Sequence, residues 1–153
     1  MVTEFKSVDD ILDFAIKNEQ EASDFYITLS DKMRNPTMKK IFLEFAQEEM
    51  GHKVKLLEMK AGKLLLKAGE KVLDLKISDY IDTKVEIKDT LEYQDALIIA
   101  MKKEKLAFKL YSDLAAQTDN EALKAILLAI AQEEARHKLR FELEYDDLIF
   151  SEN

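Results

Sequence analysis

The chain has 153 residues, enough for one domain with a core that needs no covalent staple, and it has no cysteine, which excludes disulfides, thiolate metal sites, iron–sulfur clusters and thiol catalysis. Its formal net charge is −8, from 31 acidic and 23 basic residues; such a surface repels phosphate backbones, so no nucleic acid partner is expected. The first residues carry no apolar signal core, and the longest apolar runs, Ala96–Met101 and Ala125–Ala131, are too short to span a bilayer, so the expectation is a soluble, cytoplasmic protein with no membrane partner.

Glycine (3) and proline (1) are scarce, which favours long helices. The first predicted helix runs from Val8 to Arg34, with Ser7 and Asp10 at the spacing of a capping box. Asn35-Pro36 ends it and opens the second, Asn35 as N-cap and Pro36 in the first helical position. The second helix runs to Ala61 and stops at Gly62. The stretch from Lys63 to Asp89 alternates apolar and polar residues at Leu73, Leu75 and Ile77 and again at Val85 and Ile87. It is too long for a tight turn and reads as a partly extended crossover. A third helix is predicted from Thr90 to Ala116, a turn at Gln117–Asn120, and a fourth helix from Glu121 to Asp146.

The chain repeats itself. Shifted by 85 residues without gaps, Asp10–Lys53 lies over Asp95–Lys138 with 18 of 44 positions identical. Leu12, Ala15, Glu19, Ala22, Tyr26 and Leu29 fall on Leu97, Ala100, Glu104, Ala107, Tyr111 and Leu114. Ala46-Gln47-Glu48-Glu49-x-x-His52-Lys53 falls on Ala131-Gln132-Glu133-Glu134-x-x-His137-Lys138, and Asn35 falls on Asn120. Each repeat is one helical hairpin that cannot bury its apolar stripe alone. The expected architecture is therefore all-α, an antiparallel four-helix bundle in one domain over 1–153, with repeat 1 at about 8–61, the crossover at about 62–89 and repeat 2 at about 90–146.

Glutamates interrupt the stripes. Leu12, Ala15, Ala22, Tyr26, Leu29 and Met33 share one face of the first helix, and Glu19 fills the gap in it; Glu104 does the same in the third helix. The second helix carries Ile41, Phe45, Glu49, His52 and Leu56 on one face, and the fourth carries Leu127, Ile130, Glu134, His137 and Phe141. The only two histidines of the chain both occupy this repeated position. An ionised carboxylate in a core is costly unless paired or bound to metal, and the stripes offer no matching Lys or Arg. Four glutamates balance two divalent cations, and each imidazole caps one of them. One Glu from each of two helices and Glu-x-x-His from each of the others is the ligand set of dinuclear carboxylate bundles, and its hard oxygen donors favour iron or manganese over copper. The alternative for these six residues is a set of structural charge pairs.

The doubled motif over residues 8–146 resembles the rubrerythrin-like branch of the ferritin-like superfamily. The resemblance implies that Glu19, Glu49, His52, Glu104, Glu134 and His137 hold two iron ions, with Glu49 and Glu134 as bridges. Two departures stand out. Rubrerythrins carry a further glutamate ligand three residues after the third-helix glutamate, where this chain has Ala107, matched by Ala22 in the first repeat. They also carry a cysteine-ligated rubredoxin iron domain, for which this chain has no ligands, so its reductant must come from elsewhere.

Around the six, Tyr26 and Tyr111 lie two turns beyond Glu19 and Glu104 on the same face, either as hydrogen-bond donors to ligand carboxylates or as core aromatics. Glu48 and Glu133 point about 100° away from the ligands, toward solvent or a neighbouring helix, with an alternate ligand as the other reading, and Gln47 and Gln132 have the same status. The chemistry expected is redox, with O₂ or H₂O₂ as small-molecule substrate and an external electron donor. A manganese catalase-like peroxide dismutase, a non-catalytic iron-binding or storage-related protein and a metal-free helical module are the rivals. A homodimer, by hairpin exchange among other routes, is compatible with the long crossover.

Overall fold

The computed structural model describes residues 8–33, 35–62, 80 and 93–151. Among the described residues there are four α-helices and no strand: α1 (Val8–Lys32), α2 (Pro36–Gly62), α3 (Tyr93–Gln117) and α4 (Glu121–Ser151). The chain divides into two compact units, Met1–Leu75 and Lys76–Asn153, each holding one helical hairpin. The predicted capping box at Ser7 and nearly all of the crossover lie outside the described residues, as does Arg34. None of the described helices is long and apolar enough to cross a membrane.

In the first hairpin α1 closes on a tight turn, with the Met33 amide donating to the Ser30 carbonyl at 3.2 Å, so it ends two residues before the predicted Arg34. Asn35 then must leave helical geometry to cap α2: its Oδ1 accepts from the amides of Thr37 (2.8 Å) and Met38 (3.3 Å), and its carbonyl accepts from Lys39 at 3.0 Å. The helices are laced by polar bonds along one edge. Ser23 Oγ donates to the Ala46 carbonyl at 3.0 Å, Lys53 Nζ to Gln20 Oε1 at 2.7 Å and Lys60 Nζ to Asp13 Oδ1 at 2.5 Å. Ile11, Leu12, Phe25 and Leu29 of α1 and Phe42, Leu56 and Met59 of α2 are buried. The predicted α2 stripe started at Ile41, but Ile41 is only half-buried and Phe42 is fully enclosed. The buried row continues 42, 45, 49, 52, 56, 59, and the larger aromatic has more apolar surface to remove from water.

The second hairpin repeats the device. Asn120 Oδ1 accepts from the Leu123 amide at 3.0 Å and its carbonyl from Lys124 at 2.9 Å, so the second turn asparagine is also an N-cap. Tyr93 Oη meets Glu144 Oε1 at 3.1 Å and Gln94 Nε2 meets Tyr145 Oη at 3.4 Å, tying the start of α3 to the end of α4. α4 runs on to Ser151 rather than stopping at Asp146, with no Gly or Pro to interrupt it. Tyr80, the one described residue of the crossover, is buried against α3. Its hydroxyl donates to Asp113 Oδ2 at 2.8 Å, and the Lys109 ammonium lies 4.7 Å over its ring while also bonding Asp113.

Two outcomes follow. Asn35→Ala and Asn120→Ala should each cost about 1 kcal/mol in urea unfolding, while Gly at either position costs only a few tenths. Burial, then the charge of Glu144 and its hydrogen bond, hold the Tyr93 phenol well above its ordinary pKa of 10.0. A raised folded-state pKa means the unfolded chain releases this proton first as pH rises. The contribution is therefore intact below pH 10.0 and lost progressively above it. Tyr93→Phe should lower stability near neutrality by about 1 kcal/mol and make its fall above pH 10.0 shallower, as read by chemical unfolding at stepped pH. A parallel pH profile for the two proteins would contradict this assignment.

Candidate metal centre

Each hairpin assembles one triad. In the first, Glu19 comes from the middle of α1, and Glu49 and His52 from the middle of α2, one turn apart on the same face. His52 Nδ1 lies 3.5 Å from Glu19 Oε2 and 3.7 Å from Glu49 Oε1. In the second, Glu104 comes from α3 and Glu134 and His137 from α4. His137 Nδ1 lies 3.7 Å from Glu104 Oε1 and 3.9 Å from Glu134 Oε1. Within each triad one donor atom from every residue falls within 4.8 Å of the others. All six side chains are at most 2% exposed. The repeat places like atoms at like distances, because the same Glu and Glu-x-x-His register recurs on two hairpins closed by the same asparagine cap.

The spacing has a chemical meaning. At 3.5–3.9 Å these Nδ1–carboxylate approaches are longer than hydrogen bonds. They match donors aimed at a common point: two ligands each roughly 2.0–2.2 Å from one ion stand a little over 3 Å apart. Both histidines turn Nδ1, not Nε2, toward the glutamates, and both oxygens of Glu49 are shielded from water. Two carboxylates and one imidazole per triad, with no thiolate, form a hard donor set suited to iron or manganese. The residues fit a metal ion in each hairpin. Desolvation makes four such carboxylates expensive as bare charges, and a cation is the direct remedy.

The surroundings are less symmetric than the triads. Tyr26 is fully buried, with its ring edge-on to Phe25 (centroids 5.7 Å apart) and to Phe45 (6.3 Å). Tyr111 is buried as well, but the repeat counterparts of Phe25 and Phe45 are Leu110 and Ile130. Ala22 is buried and Ala107 half-buried, so the third-helix position where the resemblance implies a further carboxylate, and its repeat counterpart, each hold a methyl group. Glu48 and Glu133 are half-buried beside the triads, and Gln47 and Gln132 are exposed. Ser23 went unread in the sequence. It sits among the core residues of α1, bonded to the Ala46 carbonyl, and a lone serine on an apolar stripe was its only signal.

The chain resembles known proteins over nearly its whole length. A structure from Thermotoga maritima, described as that of a candidate ferritin-like diiron-carboxylate protein, superposes with a TM-score of 0.76 at 24% identity. The match covers 95% of this chain and 97% of that one. A hypothetical protein from Pyrococcus furiosus superposes with a TM-score of 0.70 at 23% identity, over 91% and 88% of the two chains. No curated protein sequence matches. The shared architecture is the all-α, ferritin-like four-helix bundle expected from the repeated hairpins. The rubrerythrin family profile matches residues 10–145, which includes both triads and the caps between their helices, and the chain belongs to the rubrerythrin family.

Proposed function

We propose that this protein is a di-iron carboxylate oxidoreductase of the peroxidase or oxidase type, acting on H₂O₂ or O₂ with electrons from an external donor. The observation that carries the reading is the doubled, water-shielded triad. Glu19, Glu49 and His52 on one hairpin and Glu104, Glu134 and His137 on the other offer four carboxylates and two imidazoles to two ions. When bound, a pair of iron ions supplies two electrons at one place, the number that reductive cleavage of an O–O bond takes.

The chain's own residues do the rest. Four glutamates supply four negative charges, which neutralise two divalent cations, so the loaded centre carries no net charge into the core. The two imidazoles would bind through Nδ1, the nitrogen turned toward the glutamates, and would add no charge. Tyr26, Phe42 and Phe45 on the first hairpin and Tyr111, Leu127 and Ile130 on the second are buried and help exclude water from the ligands. Tyr26 and Tyr111 have a further role in this proposal: their hydroxyls steady ligand carboxylates by hydrogen bonding. With Ala at positions 22 and 107, neither hairpin has a spare carboxylate in that register, so a ligand exchange that needs one is unavailable. The absence of cysteine leaves no thiolate-bound iron in this chain to deliver electrons, which is why the reductant is assigned to a separate carrier.

Anaerobic Fe(II) titration should plateau at two ions per chain, and stopped-flow mixing should show oxidation by H₂O₂ or O₂ that turns over once a reductant is added. A single-ion plateau would sink the dinuclear reading. Peroxide disproportionation with Mn(II) and no reductant would replace it with the dismutase, and slow ferric accumulation with storage. The repeat also predicts that His52→Ala and His137→Ala weaken iron binding to similar degrees. Iron at a hundredfold over its Kd should stabilise the folded wild type by about 2.7 kcal/mol per independent site. Each histidine variant should lose a comparable part of that gain in thermal melts with and without iron. Grossly unequal losses would show that the different aromatic surroundings outweigh the shared ligands.

A further inference from the structure

The two triads are alike in residue type but not in the joints beside them. In the first hairpin Ser23 stands one turn after Glu19 on α1, and Ala46 one turn before Glu49 on α2. Ser23 Oγ donates to the Ala46 carbonyl at 3.0 Å, and both residues are buried. In a helix that carbonyl already accepts from the amide four residues on, that of Met50, and its second lone pair takes the serine. The bond therefore joins α1 to the turn of α2 that carries Glu49. Beside it Lys53 Nζ bonds Gln20 Oε1 at 2.7 Å, and these two residues adjoin His52 and Glu19 in the sequence.

The repeat does not carry these joints over. The counterpart of Ser23 is Phe108, whose side chain has no hydrogen-bonding atom, and Lys138, the counterpart of Lys53, bonds Glu142 on its own helix. The first hairpin also has the greater need of a joint. Gly51 lies between Glu49 and His52, exposed, where an added Cβ would meet nothing within 4 Å. No close approach requires glycine there, and glycine in mid-helix leaves the backbone at its loosest. Its counterpart is Arg136, a good helix former.

We infer that Ser23 is a positioning residue for the first triad: its bond to Ala46 fixes α1 and α2 in axial register, so that Glu19 meets Glu49 and His52 across a turn that Gly51 loosens. The inference rests on the di-iron reading for the identity of the bound ion. Apolar packing alone resists sliding weakly, because it is not directional. A chelating set needs its donors placed to within about 0.5 Å. His52 Nδ1 stands 3.5 Å from Glu19 Oε2 and 3.7 Å from Glu49 Oε1, so the approach from α1 depends on where that helix is held. A buried hydroxyl–carbonyl bond supplies the missing direction. Sliding either helix bends or stretches it and leaves a polar atom unpaired in the core.

Anaerobic Fe(II) titration, read by calorimetry, tests this in two backgrounds: His137→Ala leaves the first triad intact and His52→Ala the second. Ser23→Ala should weaken Fe(II) binding roughly 3- to 10-fold in the His137→Ala protein and leave it within about twofold in the His52→Ala protein. Ser30→Ala is the control for lost stability. Ser30 is fully buried on the same helix, but its Oγ donates to the Ile27 carbonyl of α1 itself at 2.7 Å. This variant should melt lower than wild type without metal, with circular dichroism confirming that it folds, yet bind Fe(II) as wild type does. Gly51→Ala, added to Ser23→Ala, should recover part of the lost affinity. Four results overturn the inference: Ser30→Ala weakens binding as much as Ser23→Ala, Ser23→Ala acts equally in the two backgrounds, Gly51→Ala recovers nothing, or Ser23→Ala binds two ions as tightly as wild type. A wild type that takes up no Fe(II) removes the di-iron reading as well.

Discussion

The cost of holding ionisable groups out of water governs this molecule. Each hairpin encloses two carboxylates and an imidazole at mid-helix, at positions where Leu or Ala would pack with no desolvation penalty. In the same stretches the helices are otherwise built for stability, with asparagine caps, long uninterrupted runs and fully buried Leu, Phe and Tyr. A chain that spends six core positions on such groups is less stable without a cation than an all-apolar bundle of the same length. That trade accounts for the mid-stripe placement. Near a helix end the same groups would be partly hydrated and the desolvation cost smaller.

The internal repeat constrains the triads more tightly than their surroundings. The Glu, Glu-x-x-His and asparagine-cap positions are identical in both halves, whereas Phe25, Phe42 and Phe45 are replaced by Leu110, Leu127 and Ile130. Ser23, bonded across its hairpin, has as its counterpart the exposed Phe108. In the di-iron reading the register of the triads tolerates no drift, because three side chains must converge on one point. The walls tolerate exchange of aromatic for aliphatic residues because apolar burial is not directional.

Much of this was legible in the amino-acid order. Glu19 and Glu104 declare themselves by breaking an apolar stripe, and the two histidines by their identical offset from Glu49 and Glu134. Asn35 before Pro36 marks a cap by its chemistry. What escaped depended on the third dimension. Periodicity alone could not rank Ile41 against Phe42, since both stand within a turn of Phe45. The pairing of Glu144 and Tyr145 depends on where α3 begins, because Tyr93 and Gln94 meet them there. Tyr80 could not be singled out in an alternating stretch until Asp113 and Lys109 were seen to receive it.

Two like hairpins on one chain also alter the mass action of assembly. A single hairpin carries one triad, and a second triad would then have to come from another molecule, which dilution would remove. Joined in one polypeptide, the two triads keep an effective concentration set by the length and stiffness of the connection, whatever the abundance of the protein. In the di-iron reading, a scarce protein can then keep its ligand set together at concentrations where a two-chain version would fall apart. Each half is also free to accumulate its own substitutions, as Phe45 and Ile130 show, which a site made from two identical chains cannot do.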